Sequence, residues 1–253
     1  MFYDFRKKIV EGNLLLGTMV TINSPEVSEL LTQIGFDWLF FDAEHAPFST
    51  RDLQLMIQAA GNTPSIVRLA TAAEVDIKKA LDIGAAGIIV PQVNSAELAE
   101  QIVRWTRYAP QGSRGVGIAR AHGFGLKFQE YVDNANEKIA VVVQAEHIEA
   151  VRNIQSIVKV AGIDAVLVGP YDLSASLGKI GQINDPEVVQ AIDTVTQTCL
   201  DAKVPLGIFG LSAAAVQPYI EKGYSLIVAG VDTLLLAQAA KALVSEIKNR
   251  YHN

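Results

Sequence analysis

The sequence predicts an α/β fold, a (β/α)8 TIM barrel that occupies residues 1–253 as a single domain. Short runs rich in valine, isoleucine and leucine alternate with longer amphipathic runs along the whole chain. The short runs are almost continuously apolar, as is typical of parallel strands buried on both faces. Eight such pairs occur, and eight is the number that closes a barrel. An open doubly wound sheet is the alternative, but no Gly-x-Gly-x-x-Gly motif opens the first strand–helix pair.

Eight apolar runs are predicted as the strands. In chain order they are LLLGTMV (14–20), DWLFFD (37–42), SIVRL (65–69), AGIIVP (86–91), IAVVVQA (139–145), IDAVLVG (163–169), VPLGIFG (204–210) and SLIVAG (225–230). Helical spacing of apolar residues is clearest in 25–35, 96–109, 147–162 and 186–202. Ser24, Ser49 or Thr50, and Asp185 are predicted N-caps, and glycines such as Gly35 and Gly84 follow several helices.

One long connection, residues 110–137, lies between the fourth and fifth predicted strands and shows no clear period. Loops of this length in compact domains are usually functional. We therefore predict an active-site loop at 110–137.

Composition excludes several classes of protein. The net charge of −6 and the pI near 5.3 provide no basic surface for nucleic acid. Cys199 is the only cysteine, so no internal disulfide can form. The sequence contains no uninterrupted apolar run of the roughly 20 residues that a membrane span needs, and no apolar segment typical of a signal peptide near residue 1. We expect a cytoplasmic protein without nucleic-acid or membrane partners.

Polar residues concentrate where the predicted strands end, which is the edge at which TIM barrels carry their active sites. In chain order these residues are Asp42, Glu44, His45, Arg68, Gln144, Glu146 and Asp172. Taken singly, each has a structural explanation, such as a buried ion pair of Arg68 with Asp42 or Glu44, or a helix cap at Glu146 or Asp172. Their coincidence on one edge favours a functional site.

The chemistry of these side chains favours a metal-assisted reaction on a 2-oxo acid. Glu146 and Asp172 are hard oxygen ligands on neighbouring strands, suited to Mg²⁺ or Mn²⁺. A metal with few protein ligands leaves positions open for a carboxylate and a keto oxygen. Together with Arg68 it would stabilise an enolate, and His45 is the natural group to move a proton.

Other chemistries have weaker support. No lysine lies in the second half of a predicted strand, which disfavours a Schiff-base aldolase. Neither a P-loop nor a Gly-x-Ser-x-Gly motif is present. Gly207, Gly210 and Gly230 are compatible with a phosphate site after the last two strands, but close packing of small residues explains them equally well.

The same residues resemble a known family, the HpcH/HpaI aldolases, which are metal-dependent class II pyruvate aldolases built on a (β/α)8 barrel. The resemblance runs nearly end to end. It is carried by Asp42-x-Glu44-His45-x-Pro47, Val67-Arg68, Gln144-x-Glu146 and the string from Gly169 to Gly178, with Arg114-Gly-Val-Gly117 and Ala80-Leu-Asp82-Ile-Gly84 in support.

The resemblance implies a role for each residue. Glu146 and Asp172 would hold the metal, Mg²⁺ or Mn²⁺ with Co²⁺ as a further candidate. Arg68 would contact the keto oxygen, and His45 would be the acid/base group. Asp82 would orient His45 from a neighbouring subunit, Gln144 would lie near the metal and the keto group, and Asp42 and Glu44 would support Arg68 or a metal-bound water.

The resemblance also implies how the carboxylate and the assembly are formed. Backbone amides around Pro170–Leu173 and Ser174–Leu177 would bind the substrate carboxylate. The family points to a homo-oligomer, a hexamer built as a trimer of dimers, with the last helix (232–249) packing on a neighbour. After Gly117 the connection is slightly shorter than in the dihydroxyheptenedioate and sugar-acid aldolases. This connection helps to shape the aldehyde-binding side of the family's site, so the difference concerns the aldehyde substrate.

We therefore expect a lyase that reversibly cleaves a 4-hydroxy-2-oxo acid into pyruvate and an aldehyde. Two alternatives remain at this stage. One is an enzyme of the same family that decarboxylates oxaloacetate or condenses it with another carbon unit, as in siderophore-associated citrate synthesis. The other is a barrel that binds a 2-oxo acid without reacting.

Overall fold

The computed structural model describes residues 4–251 and forms a closed barrel of eight parallel strands, β1 to β8, paired in sequence order with β8 returning to β1. The strands are Leu15–Val20, Trp38–Asp42, Ser65–Arg68, Gly87–Val90, Ala140–Ala145, Ala165–Val168, Leu206–Gly210 and Leu226–Val231. Each lies within or overlaps the corresponding predicted apolar run, so the (β/α)8 prediction is confirmed.

Eleven helices, α1 to α11, are described in residues 4–251. They are Phe5–Val10, Pro25–Ile34, Thr50–Ala59, Glu74–Asp82, Ala96–Thr106, Phe128–Lys138, Ile148–Ile157, Pro170–Ser176, Pro186–Ala202, Ala213–Glu221 and Asp232–Tyr251. None of them is both long and apolar enough to cross a membrane over the described part of the chain.

Local sequence sets where the helices begin. The Ser24 side chain accepts a hydrogen bond from the Val27 N–H at the start of α2, and Asp185 accepts from the Glu187 N–H at the start of α9. Ser49 and Asp52 form a reciprocal capping box at α3. These caps satisfy amide groups that have no partner within the helix.

Two apolar clusters stabilise the barrel. The larger lies between the strands and the outer helices, and the smaller fills the barrel interior. Trp38 is fully buried in the interior, and Phe5 of α1 packs against it with ring centroids 5.8 Å apart. Helix α1 therefore closes the amino-terminal end of the barrel, and the opposite end stays open.

The connection between α5 and β5 is more ordered than the sequence predicts. It contains a short 3-10 segment, Arg120–Gly125, followed by α6. Tyr131 and Ala135, one helical turn apart, are the buried residues that anchor α6. Because α5 runs back from the carboxyl ends of the strands, this connection lies at the amino-terminal edge of the barrel within one chain.

Candidate active site

A cavity of about 230 Å³ opens at the carboxyl ends of the strands. Six of the predicted site residues line it, namely Asp42, His45, Arg68, Gln144, Pro170 and Asp172. Apolar residues form the rest of the wall, among them Met19, Phe40 and Phe209. A larger cavity of about 340 Å³ lies at the amino-terminal edge, but no carboxylate or histidine lines it. The smaller cavity is therefore the candidate active site.

Asp42 fixes Arg68 at the edge of this cavity. The two residues are in register at the ends of β2 and β3. Arg68 Nε donates to Asp42 Oδ1 at 2.9 Å, and Arg68 Nη2 lies 2.8 Å from Asp42 Oδ2. The guanidinium carbon also lies 5.4 Å from the centroid of the Phe40 ring. Two-point pairing and stacking hold the guanidinium in one orientation.

Glu44 and His45 follow β2 and lie nearer to solvent. Glu44 Oε2 is 3.2 Å from Arg68 Nε but makes no hydrogen bond with the described residues. Burial raises the pKa of Glu44, against the lowering effect of the Arg68 charge. His45 Nε2 lies 3.8 Å from Glu44 Oε2, and 65% of the His45 side chain is exposed. A histidine this open is accessible to substrate but poorly oriented within one chain.

Glu146 is a second buried carboxylate at this edge, as buried as Asp42. Its Oε1 accepts a hydrogen bond from the Gln92 backbone N–H at 2.8 Å, and Gln144 Nε2 donates to its Oε2. Burial, together with the negative charges of Glu44 and Asp172, raises the pKa of Glu146 to about 7. Gly169 leaves the space that Glu146 occupies, since a Cβ there would lie 2.8 Å from the Glu146 Cβ.

The segment after β6 places the other predicted residues. Asp172 lies in the first turn of α8, is exposed, and lines the cavity together with Pro170. Ser174 Oγ donates to the Tyr171 carbonyl at 2.6 Å and accepts from the Gly181 N–H at 3.0 Å. The Leu177 N–H donates to the Leu173 carbonyl. Ser174 and Leu177 thus support α8 and do not line the cavity.

Asp82 lies apart from these residues within one chain. It ends α4, which returns from the carboxyl edge, so Asp82 lies at the amino-terminal edge of the barrel. There it accepts a hydrogen bond from Arg114 Nη2 at 2.7 Å. The connection 110–137 lies at the same edge, because Arg120 of this connection donates to the Ile83 carbonyl. In a single chain neither Asp82 nor this connection reaches the cavity.

Two contributions escaped the sequence analysis. The Gln92 amide that binds Glu146 is a backbone group, and its residue adopts an unusual positive φ of 54°. Because any residue except proline has such an amide, the residue type at position 92 does not predict the hydrogen bond to Glu146. Phe40 appears in the sequence as one more apolar strand residue, although its ring packs beside Arg68. The alternation of side chains along β2 is the pattern that could have found it.

The donor atoms fit a divalent cation bound by few protein ligands. Glu146 and Asp172 supply hard carboxylate oxygens whose charges repel one another. Gln144 Oε1 is buried without a hydrogen-bond partner among the described residues. Within residues 4–251 no three or more His, Cys, Asp or Glu side chains are grouped to hold a metal ion. A cation bound here would therefore keep positions for water and substrate.

A family model of known proteins matches most of the chain. The model of the HpcH/HpaI aldolase/citrate lyase family matches residues 16–239. The chain belongs to the HpcH/HpaI aldolase/citrate lyase family. The resemblance found in the sequence motifs is thereby confirmed.

Relatives of this HpcH/HpaI family member match it over almost its whole length. A 4-hydroxy-2-oxo-heptane-1,7-dioate aldolase of Escherichia coli is 39% identical and covers 96% of this chain and 94% of its own. A hydroxypyruvate/pyruvate aldolase of Cupriavidus necator is 37% identical and covers 97% and 93%. The crystal structure of an HpcH/HpaI aldolase/citrate lyase family protein from Burkholderia cenocepacia J2315 is 33% identical, superposes with a TM-score of 0.94, and covers 97% and 99%.

Proposed function

We propose that this HpcH/HpaI family member is a divalent-metal-dependent aldolase that reversibly cleaves a 4-hydroxy-2-oxo acid into pyruvate and an aldehyde. The observation that carries the proposal is the fixed guanidinium of Arg68 at the edge of a cavity that also holds Asp172 and Gln144. The aldolase names of two relatives support it. Cleavage of the C3–C4 bond leaves an enolate of pyruvate, and Arg68 is proposed to stabilise its negative charge.

Glu146 and Asp172 are proposed as the metal ligands, with Gln144 beside them and Mg²⁺ or Mn²⁺ as the ion. When bound, the ion would polarise the keto group of the substrate. Gln144 Oε1 lacks a partner among the described residues and is free to orient a bound water or substrate. Backbone amides at the start of α8, near Pro170, are proposed to bind the substrate carboxylate.

Arg68 is proposed to contact the keto oxygen and to hold the charge that develops on it. A donor preorganised for a developing oxyanion lowers the barrier, because no reorganisation is needed during the reaction. Asp42 supplies that preorganisation through the two-point pair.

His45 is proposed to remove the proton of the 4-hydroxyl group in cleavage and to return it in addition. Imidazole titrates near neutral pH and so accepts and releases protons under working conditions. Because His45 is largely exposed in one chain, its orientation is proposed to come from Asp82 of a neighbouring subunit.

A homo-oligomer, a hexamer built as a trimer of dimers, is proposed as the working assembly. Every described side chain from Thr233 to Asn249 on α11 is exposed, including Leu236 and Leu243. Apolar residues left uncovered on a 20-residue helix favour packing against a second copy. A cytoplasmic location is proposed because the only cysteine, Cys199, is unpaired and buried.

The test is deuterium exchange into the methyl group of pyruvate, followed by NMR with Mn²⁺ or Mg²⁺ and again after EDTA. Metal-dependent exchange is the expected result. The proposed ion would polarise the keto group, and this favours the pyruvate enolate that forms before the carbon–carbon bond. Exchange that survives EDTA would favour metal-independent use of oxaloacetate. Absence of exchange, together with absence of cleavage of 4-hydroxy-2-oxo acids, would refute the proposed function.

A further inference from the structure

The carboxylate of Asp82 is held by a buried guanidinium. Arg114 Nη2 donates to Asp82 Oδ1 at 2.7 Å; the Arg114 side chain is fully buried, whereas 24% of the Asp82 side chain is exposed. On its other side, Arg114 Nη1 donates to Tyr131 Oη at 3.1 Å. The guanidinium carbon lies 4.6 Å from the centroid of the Tyr108 ring. We call Arg114, Tyr108 and Tyr131 the Asp82 clamp.

The Asp82 clamp fixes a carboxylate that a partner can still reach. The ion pair offsets part of the cost of burying Arg114, while 24% of the Asp82 side chain stays exposed. Burying a guanidinium is unfavourable unless all its donors are satisfied, and Arg114 Nε has no partner among the described residues. Such an arrangement restricts the position of one carboxylate, which is what a functional group needs.

Asp82 lies next to an exposed apolar surface of the same chain. Four large apolar side chains in the connection that contains Arg114 are mostly exposed, by 63% to 92%: Val116, Ile118, Phe124 and Leu126. Large apolar side chains exposed together in one connection favour association with another surface. The carboxylate is therefore held where a second copy of the chain would approach.

His45, at the opposite edge, lacks the group that would orient it. A histidine that acts as a base is normally held by a hydrogen bond to a third group. Among the described residues, His45 pairs with Glu44, whose Oε2 lies 3.8 Å from His45 Nε2 and so beyond hydrogen-bonding distance. One edge of the barrel thus presents a positioned carboxylate, and the other presents an unpositioned histidine.

We propose that Arg114 is a positioning residue that fixes Asp82 so that this carboxylate orients His45 in a second copy of the chain. The inference rests on the proposed aldolase function and on its site shared between subunits. Tyr131 and Tyr108 act with Arg114 by restricting its guanidinium. The pyruvate half of the site, at Arg68 and Glu146, is untouched by this arrangement.

Kinetics of single and double variants test the role of Arg114. Arg114→Ala and Asp82→Ala are each expected to lower kcat for retro-aldol cleavage about a hundredfold, the lower end of the range for lost acid/base assistance, with KM nearly unchanged. The double variant should be no slower than Asp82→Ala, because both changes remove one interaction. Arg114→Lys should restore part of the activity. Tyr131→Phe removes only one hydroxyl and should cause a smaller loss in kcat. This variant replaces Arg114→Ala as the test if Arg114→Ala does not fold.

Mixed oligomers test whether the effect crosses between chains. Co-assembly of Arg114→Ala with His45→Ala is expected to restore activity to about a quarter of wild type, the share of sites that would combine an intact His45 with an intact Asp82. Co-assembly of Arg68→Ala with His45→Ala is the control and should restore nothing, since both residues belong to the same chain's site.

Three results would overturn the inference while leaving the aldolase assignment intact: an unchanged kcat in Arg114→Ala, a double variant much slower than Asp82→Ala, or no restoration from folded and co-assembled chains. A wild-type protein without pyruvate exchange or cleavage would instead refute the proposed function on which the inference rests.

Discussion

Asp42 and Arg68 face each other in register at the carboxyl ends of β2 and β3, and their side chains pair through two contacts of 2.9 and 2.8 Å. The pair is almost completely buried, with 8% of the Arg68 side chain and 3% of the Asp42 side chain exposed. The structural explanation of Arg68, a buried ion pair, is therefore compatible with its proposed role in the reaction. The ion pair that stabilises the barrel edge also aims the guanidinium at the cavity.

Arg68→Ala is expected to lower kcat for cleavage by about 10²–10³, equivalent to about 2.7–4 kcal/mol, if Arg68 acts as an oxyanion donor. Arg68→Lys keeps the charge but loses the two-point pair with Asp42, so its kcat should lie between those of the wild-type protein and Arg68→Ala. Steady-state kinetics on a 4-hydroxy-2-oxo acid measure this. An Arg68→Ala protein with wild-type kcat would contradict the role.

Asp172→Ala is expected to abolish metal-dependent exchange and to weaken Mn²⁺ binding in calorimetric titration, because one of two proposed carboxylate ligands is lost. Asp201→Ala is the control, since Asp201 is also exposed but lies on α9 and bonds to Gln197. Wild-type Mn²⁺ affinity in Asp172→Ala would refute the ligand assignment.

Asp164→Asn is expected to lower the free energy of unfolding by about 3–5 kcal/mol. Asp164 Oδ1 lies 2.8 Å from Arg6 Nε, and Asp164 Oδ2 lies 3.8 Å from Arg107 Nη2. Burial lowers the pKa of Arg107 to about 10 against the raising effect of the Asp164 charge, so this carboxylate offsets part of the cost of burying the guanidinium. Urea denaturation measures the change. Asp193→Asn, at the exposed pair with Lys222, should cost less than about 1 kcal/mol; equal losses in the two variants would contradict this explanation.

Leu236→Glu and Leu243→Glu on α11 are expected to shift the protein to smaller species in light scattering, because a charge cannot be buried at an apolar interface without a partner. The two side chains are 64% and 60% exposed in one chain. Gln238→Glu, on the opposite face of the helix, should leave the assembly unchanged. An unaltered mass for both leucine variants would show that α11 does not mediate association.

Much of the barrel could be predicted from the sequence because parallel strands buried on both faces have a distinctive composition. Part of the candidate site could also be predicted. Asp42 and Arg68 are the final residues of β2 and β3, so their side chains must meet at one edge of the barrel. Helix α6 escaped prediction because only Tyr131 and Ala135 are buried in it, and polar or charged residues occupy most of its other positions.

The sequence by itself determined the strand order, the edge at which the candidate site residues lie, and the family, since each depends on residue types at positions set by local periodicity. Only the tertiary structure decided which atoms meet. The Gln92 amide reaches Glu146 across 54 positions of sequence, and Arg114 holds Asp82 across 32. Contacts of this kind depend on backbone direction and on packing between distant segments, neither of which a local pattern encodes.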